Sequence, residues 1–461
     1  MASVVIIGGG PGGYEAAHAA VQLGAEVTVV DTDGIGGSAV LTDCVPSKTL
    51  IATAEVMTQV EEAGELGVRV DDGDDDPANS VHVDLSVINA RVKRLAQAQS
   101  DGISRRLERD GIRVIQGRGR LDGPDAVLVD GTDERLQADV ILISTGARPR
   151  ILAGSEPDGE RILTWEQVYE LQELPERLIV VGSGVTGAEF ASAYDALGSD
   201  VVLVSSRDRV LPGEDADAAE VLQDVFMRRG MTVLGKSRAE SVKRVGDGVV
   251  VTLTDGRTVE GSHALLAVGS LPNTEDMGLV ESGVSLADGG FVKTDKVSRT
   301  TARGVYAAGD CTGVLMLASV AAMQGRIAMS HALGDAVQPL DLQTVSSNVF
   351  TAPEIATVGV TQAALDAGGS TAMVVKVPLA DNARAKMQGV RDGFVKLFCL
   401  PNTGIVVGGV VVAPRASELI HPISIAVAAR LTVDQVAHAF TVYPSVSGSV
   451  AEAARRLHLR N

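Results

Sequence analysis

A chain of 461 residues exceeds one compact core and suits about three domains. Its formal net charge of −19 excludes the basic face that nucleic acid requires, and its 3% aromatic content builds neither a membrane-interface belt nor a base-stacking surface. Three cysteines, Cys44, Cys311 and Cys399, are too few and too scattered for a disulfide framework or a zinc cluster, so no metal site is expected.

The first element is the run Val4-Val5-Ile6-Ile7, a buried parallel strand that enters a glycine loop at once. That is unlike a signal peptide, and no apolar stretch reaches the roughly 18 residues of a membrane span. The cytoplasm is therefore the expected compartment. Gly8, Gly10 and Gly13 follow the strand, with Pro11 between them, and open a helix. In such a loop the first glycine makes the tight turn, the second admits a pyrophosphate, and the third lets helix and strand pack closely. The helix N-terminus then offers N–H groups and a positive dipole to the phosphates. A second strand, Glu26 to Val30, ends at Asp31, 23 positions after Gly8. An acid there accepts from a ribose 2′-hydroxyl and repels a 2′-phosphate, which suits an unphosphorylated adenosine as in FAD. The acidic run from Asp71 to Asp76 reads as a solvated loop.

Strand-like Val140 to Ser144 comes next, and then the opening plan repeats. Leu178 to Val181 leads into Gly182, Gly184 and Gly187, and Asp200 to Val204 ends at Ser205, again 23 positions on. Two such loops imply two dinucleotides. Ser205 removes the acid's repulsion, and Ser206, Arg207 and Arg209 follow, so NADPH is expected to be accepted, alongside or ahead of NADH. Strand-like Gly304 to Asp310 resumes the first sheet, which makes the second unit an insertion into the first. From about Thr344 alternating strands such as Gly393 to Phe398 and Ile405 to Val412 indicate an antiparallel sheet. The fold class is α/β: two Rossmann-like dinucleotide-binding domains, the second inserted into the first, plus a C-terminal α+β dimerisation domain. The expected boundaries are 1–150, 151–275, 276–340 and 341–461.

These motifs resemble those of the pyridine-nucleotide disulfide oxidoreductases, such as dihydrolipoamide dehydrogenase and glutathione reductase, over nearly the whole length. The matching segments include Ser144-Thr145-Gly146 with Pro149, Gly182 to Glu189, Val268-Gly269 with Pro272-Asn273, Tyr306 to Asp310, Val349 to Glu354 and Asn382-Ala383-Arg384. The resemblance implies FAD contacts at Gly37, Ser38, Lys48, Gly119, Ser144, Thr145, Gly146, Gly309, Asp310, Leu317 and Ala318. It implies NAD(P)H contacts at Val185, Gly269 and the second glycine loop. Val185 stands where some relatives carry a lid tyrosine, which eases nicotinamide access. A homodimer built through the C-terminal domain is implied as well. Lys48 and Glu189 match an ion pair beside flavin and nicotinamide, in which the cation favours the reduced flavin and the carboxylate holds the cation.

Two departures redirect the chemistry. The family's redox motif has two cysteines five apart before Pro-Ser-Lys; here Ala39 fills the first place and only Cys44 remains. Dithiol exchange needs two neighbouring sulfurs. The family's C-terminal His-Pro with a glutamate behind it is here Tyr443-Pro444, with Gly448 in the glutamate's place. A phenol with pKa about 10 shuttles protons poorly near neutrality. The same departures resemble the disulfide-deficient branch of the family described as NAD(P)H quinone reductases. They imply hydride transfer from NAD(P)H to FAD and then electrons to a quinone. Tyr443 of a second copy either meets the acceptor or packs in the interface. Cys44 is either reactive or a retained small residue, and His438 is expected to be structural. A transhydrogenase, a single-cysteine reductase and a flavin-binding sensor or complex subunit are the other readings.

Overall fold

The computed structural model describes residues 1–68, 81–132 and 134–458; the Asp71 to Asp76 run lies outside the described residues. The chain forms two compact units.

The first unit comprises Met1–Thr49, Asn89–Arg150 and Gly269–Asp341. Its centre is a five-stranded parallel sheet in the order Val305–Ala307, Val140–Ile143, Ser3–Ile7, Glu26–Asp31, Arg113–Gln116. Val4 and Ile6 enter one core with Val29 and Leu142, whereas Val5 and Ile7 enter another with Val30 and Ile141. Burial on both faces is why this strand reads as a continuous apolar run rather than an alternating one. Each fully buried Val or Ile contributes about 1.5–3 kcal/mol. The helices Pro11–Gln22 and Ala318–Ala332 cross on one face so closely that a Cβ on Gly325 would lie 2.1 Å from the Gly12 carbonyl oxygen. A three-stranded antiparallel sheet, Arg118–Leu121, Ala126–Asp130 and Arg135–Gln137, belongs to the other face through Leu121, Val127 and Val129. Strand Val305–Ala307 pairs directly with Val140–Ile143, so the sheet resumes across everything between them.

The second unit comprises Leu50–Ile88, Ile151–Val268 and Leu342–Asn461. Its parallel sheet repeats the plan, in the order Thr232–Leu234, Asp200–Val204, Arg177–Val181, His263–Leu266, Ile162–Thr164. A five-stranded antiparallel sheet follows in the order Ser346–Val349, Glu354–Gly359, Val406–Ala413, Phe394–Cys399, Met373–Pro378. The alternation expected for Gly393 to Phe398 is not a wet-and-dry pattern: Phe394–Cys399 is buried at every position, Lys396 included. Val395, Leu397 and Cys399 enter the core, and the opposite face is sealed around the Lys396 ammonium by Asp215 and Asp217.

Candidate active site

The carboxyl ends of the first unit's strands deliver most of the expected residues to one edge. Gly8 follows Ile7, Asp31 ends its strand, Ser144 follows Ile143, and Gly309 lies just past Ala307. This edge, where strand order reverses about Ser3–Ile7, is where open α/β sheets hold ligands.

Each glycine of the first loop has a separate reason. Gly8 has φ +106°, and a Cβ there would lie 2.2 Å from the Ser144 carbonyl oxygen. A Cβ on Gly13 would lie 1.9 Å from the Gly8 oxygen. Gly10 is different: the nearest atom to its added Cβ is the Gly37 Cα at 4.0 Å, so its face is open. Gly10 caps the helix with no side-chain acceptor, Pro11 brings no N–H, and the Gly13 and Tyr14 N–H groups close onto the Gly10 carbonyl at 2.9 Å, so what this end offers a ligand is the open Gly10 face and the positive end of the helix dipole. Gly37 turns in against Gly10 at φ +57°, and Ser38 beside it is exposed. Gly119 is buried, where a Cβ would press on Ile7 at 3.0 Å.

The Asp31 carboxylate accepts from the N–H groups of Gly9 (2.6 Å), Gly34 (2.6 Å) and Asp33 (3.0 Å). A carboxylate has about four lone-pair sites, which leaves room for one ribose hydroxyl. Burial raises its pKa despite these bonds. Ser144 is buried, while Thr145 and Gly146 are clasped by Asn273: Thr145 Oγ1 donates to the Asn273 carbonyl at 2.7 Å, and the Asn273 N–H donates to the Gly146 carbonyl at 3.0 Å. Gly269, at φ +96°, is exposed, and its carbonyl accepts from the Arg150 N–H at 2.9 Å.

Gly309, at φ +83°, donates its N–H to Gln324 Oε1 at 2.8 Å and turns the chain into Asp310. Burial, with the nearby Asp43 charge, pushes the Asp310 carboxyl up to about 6. Leu317 and Ala318 start the helix Ala318–Ala332, whose N-terminus has no side-chain cap. An open glycine face, uncapped helix N-termini and a half-buried carboxyl together fit the pyrophosphate and polyol of a dinucleotide. Because the folded pKa of Asp310 is raised, the folded chain holds the extra proton between about 4 and 6, and stability falls as pH rises through that window. Asp310→Asn is therefore expected to raise the melting temperature of the cofactor-free chain at about pH 7, with the gain vanishing toward about pH 4. Thermal melts across that range check this.

The second unit repeats the loop. Gly182 has φ +114°, with a Cβ 2.1 Å from the Ala267 oxygen, and a Cβ on Gly187 would lie 1.8 Å from the Gly182 oxygen. Around Gly184 nothing approaches within 4 Å, and Val185 beside it is 43% exposed. Ser205, expected beside the adenosine 2′ position, is fully buried. Its hydroxyl shares a hydrogen bond with Ser183 Oγ (2.7 Å) and accepts from the Arg207 N–H (3.1 Å). It thus shapes the turn, which presents Ser206 and Arg207 to solvent; Arg209 is half-buried.

Ala39 lies in the short helix Gly37–Leu41, and Cys44 begins the helix Cys44–Ala63 that also carries Lys48. None of the three cysteines forms a disulfide. Cys311 and Cys399 are buried, and burial raises the Cys311 thiol to about 11. Glu189 is 4% exposed on the helix Val185–Ala196, and its Oε1 accepts the Phe350 N–H at 2.9 Å. Lys48 belongs to the first unit and Glu189 to the second. Tyr443 is 86% exposed, and His438 is held locally by the Asp434 carbonyl at 2.7 Å. Phe350 and Ala352, the partners of this helix, carry no sequence signal: the spacing of Glu189 and Ser192 is visible, but the loop they meet is about 160 positions away and offers backbone N–H groups.

Residues 2–325 match the family described as pyridine nucleotide-disulphide oxidoreductase, and residues 345–454 match its dimerisation domain. The chain belongs to this family. It is 56% identical to an NAD(P)H dehydrogenase (quinone) of Mycobacterium tuberculosis, over 98% of this chain and 93% of the relative. A dihydrolipoyl dehydrogenase of Chlorobaculum parvum is 33% identical, over 98% and 96%. Among solved structures, LpdA from Mycobacterium tuberculosis superposes with TM-score 0.94 at 54% identity, covering 100% of both chains. The Escherichia coli flavoprotein disulfide reductase RclA, at 23% identity and TM-score 0.86 over 98% of this chain and 99% of its own, shares the fold. The family is FAD-dependent and takes NAD(P)H, and this chain carries two glycine loops of one plan. Among the described residues no helix is long and apolar enough to cross a membrane, and no cluster of metal-ligating side chains occurs.

Proposed function

We propose that the chain is a cytoplasmic, homodimeric NAD(P)H:quinone oxidoreductase that works through FAD without a redox-active disulfide. The observation that carries the reading is the loss of sulfur chemistry beside two intact dinucleotide loops. Ala39 stands before Cys44, and none of the three cysteines is in a disulfide. The close similarity to an NAD(P)H dehydrogenase (quinone) supports the same acceptor. The domain boundaries we propose are 1–150, 151–275, 276–340 and 341–461.

When bound, FAD supplies a centre that takes hydride from the nicotinamide and gives electrons to an acceptor without needing a protein thiol. The protein's own residues bind and orient. Asp31 takes a ribose hydroxyl, and the helix starting at Pro11 takes the pyrophosphate. Asp310 and the Ser144 to Gly146 turn hold the sugar-phosphate chain. Lys48 would supply a cation that favours reduced flavin, and Glu189 a carboxylate for the hydride-transfer site, as the family resemblance implies. Gly184 and Gly187 seat the nicotinamide nucleotide, and Val185 leaves its approach open. Tyr443 of the second copy brings a hydroxyl toward the acceptor; Phe440, Val442 and Tyr443, at 106%, 78% and 86% exposure, form an apolar stretch that a partner subunit would cover.

Steady-state turnover with menadione, set against lipoamide and glutathione disulfide, tests the reading. We expect flavin-dependent turnover with menadione alone, and Cys44→Ala should leave it unchanged. Efficient reduction of either disulfide would overturn the proposal. Rapid exchange between NADPH and an NAD+ analogue without added acceptor would instead favour a transhydrogenase. For the nucleotide, Arg207→Glu should raise KM for NADPH about tenfold, the effect of losing one charge-assisted contact of about 1.4 kcal/mol, with KM for NADH little changed.

A further inference from the structure

The helix that carries Glu189 is fastened to one turn of the antiparallel sheet by two matched hydrogen bonds. Glu189 and Ser192 lie three residues apart on the helix Val185–Ala196 and are 4% and 6% exposed. That spacing puts both side chains on one face. The turn between the strands Ser346–Val349 and Glu354–Gly359 supplies the donors. Phe350 N–H donates to Glu189 Oε1 at 2.9 Å, and Ala352 N–H donates to Ser192 Oγ at 3.1 Å. The two donors lie two residues apart in the bend that links those strands, and each meets one of the two side chains. The far side of the turn is tied down as well. Arg229 Nη1 donates to the Ala352 carbonyl at 3.4 Å, Thr351 Oγ1 donates to the Pro353 carbonyl at 2.7 Å, and Glu354 Oε2 accepts from the Ser417 N–H at 2.8 Å.

We propose that Ser192 is a positioning residue for Glu189. By holding Ala352 it keeps the Phe350 N–H on Glu189 Oε1, and so fixes the carboxylate's orientation during hydride transfer. The proposal rests on the reading that Glu189 works at the reduction site. A buried carboxylate pinned at one oxygen by a fixed backbone donor has its rotamer chosen for it. A carboxylate whose donor wanders does not, and the geometry of a reduction site is sensitive to such displacement. The Phe350 N–H is carried by a turn that meets this helix at Glu189 and again at Ser192.

Two measurements on the FAD-loaded dimer test this. In Ser192→Ala, amide hydrogen exchange should quicken at Ala352 and also at Phe350, whose own acceptor is untouched, with the rest of the second unit unaffected. In stopped flow, bleaching of the flavin band by NADPH should slow about two- to tenfold, while the rate of electron delivery to menadione stays the same. Ser192→Thr, which keeps the hydroxyl, should restore the wild-type values. The proposal fails if exchange rises at Ala352 alone, if both rates fall together, or if neither changes. A wild-type protein that NADPH bleaches but that ignores menadione would overturn the quinone reading and leave this one standing.

Discussion

Lys396→Met is expected to cost about 3–5 kcal/mol of stability, the loss typical of breaking a buried ion pair on one side. Lys396 and Asp215 have side chains only 3% and 2% exposed. The ammonium lies 2.8 Å from both Asp215 oxygens and 2.6 Å from Asp217 Oδ2, above the Phe394 ring at 5.6 Å. Asp215 also caps the helix Ala216–Arg228 by accepting from the N–H groups of Asp217 (3.1 Å) and Ala218 (3.3 Å). Removing the lysine leaves that carboxylate buried without its counter-charge. Urea denaturation followed in the second unit should show the loss, and the double variant Lys396→Met with Asp215→Asn should recover part of it. A single-variant loss below about 1 kcal/mol would mean the pair is no stronger than a surface bridge. The pH dependence has a defined sign. Burial opposes ionisation of Asp217, but Lys396 and Lys376 outweigh it and hold the carboxyl below its usual range. Its contribution is therefore complete above the ordinary carboxylate pKa and is lost as pH falls through the lowered one.

The second large effect separates folding from binding within one loop. Gly187→Ala places a methyl 1.8 Å from the Gly182 oxygen, so helix and strand must part. A loss of about 1–3 kcal/mol or more, and of about 100-fold in kcat/KM for NADPH, is expected. Gly184→Ala meets nothing within 4 Å, and φ −73° suits alanine, so the fold should tolerate it. The added methyl points into the space a pyrophosphate would use, and KM for both nucleotides should rise about tenfold with melting changed by no more than about 0.5 kcal/mol. Thermal melts and steady-state kinetics of the two variants give the comparison. An unchanged KM in Gly184→Ala would show that the ligand does not lie against this loop.

What the sequence makes legible is local. Gly8, Gly13, Gly182 and Gly187 are recognisable because a tight turn and a close helix–strand approach are dictated within about ten residues. The double burial of Val4 to Ile7 is legible for the same reason. Interactions that join distant segments leave no such mark. Lys396 looks like the polar position of a half-wet strand until Asp215, 181 positions earlier, is seen to neutralise it. Ser205 looks ligand-facing by count from Gly182, yet Ser183 and the Arg207 backbone claim its hydroxyl. Glu189 is found by its place after Gly187, but its donor Phe350 is 161 positions away and is a backbone N–H, which no residue type announces.

The sealing of Cys311 and Cys399 has a practical consequence. A thiol reagent should titrate at most one sulfur per native subunit and all three once the chain is unfolded in denaturant. Under peroxide, oxidation of the native protein is then confined to Cys44, which has no second sulfur in the family's motif position to lock against. Oxidation of the native chain should therefore appear as oxygen added at Cys44 and not as a disulfide of the family's motif.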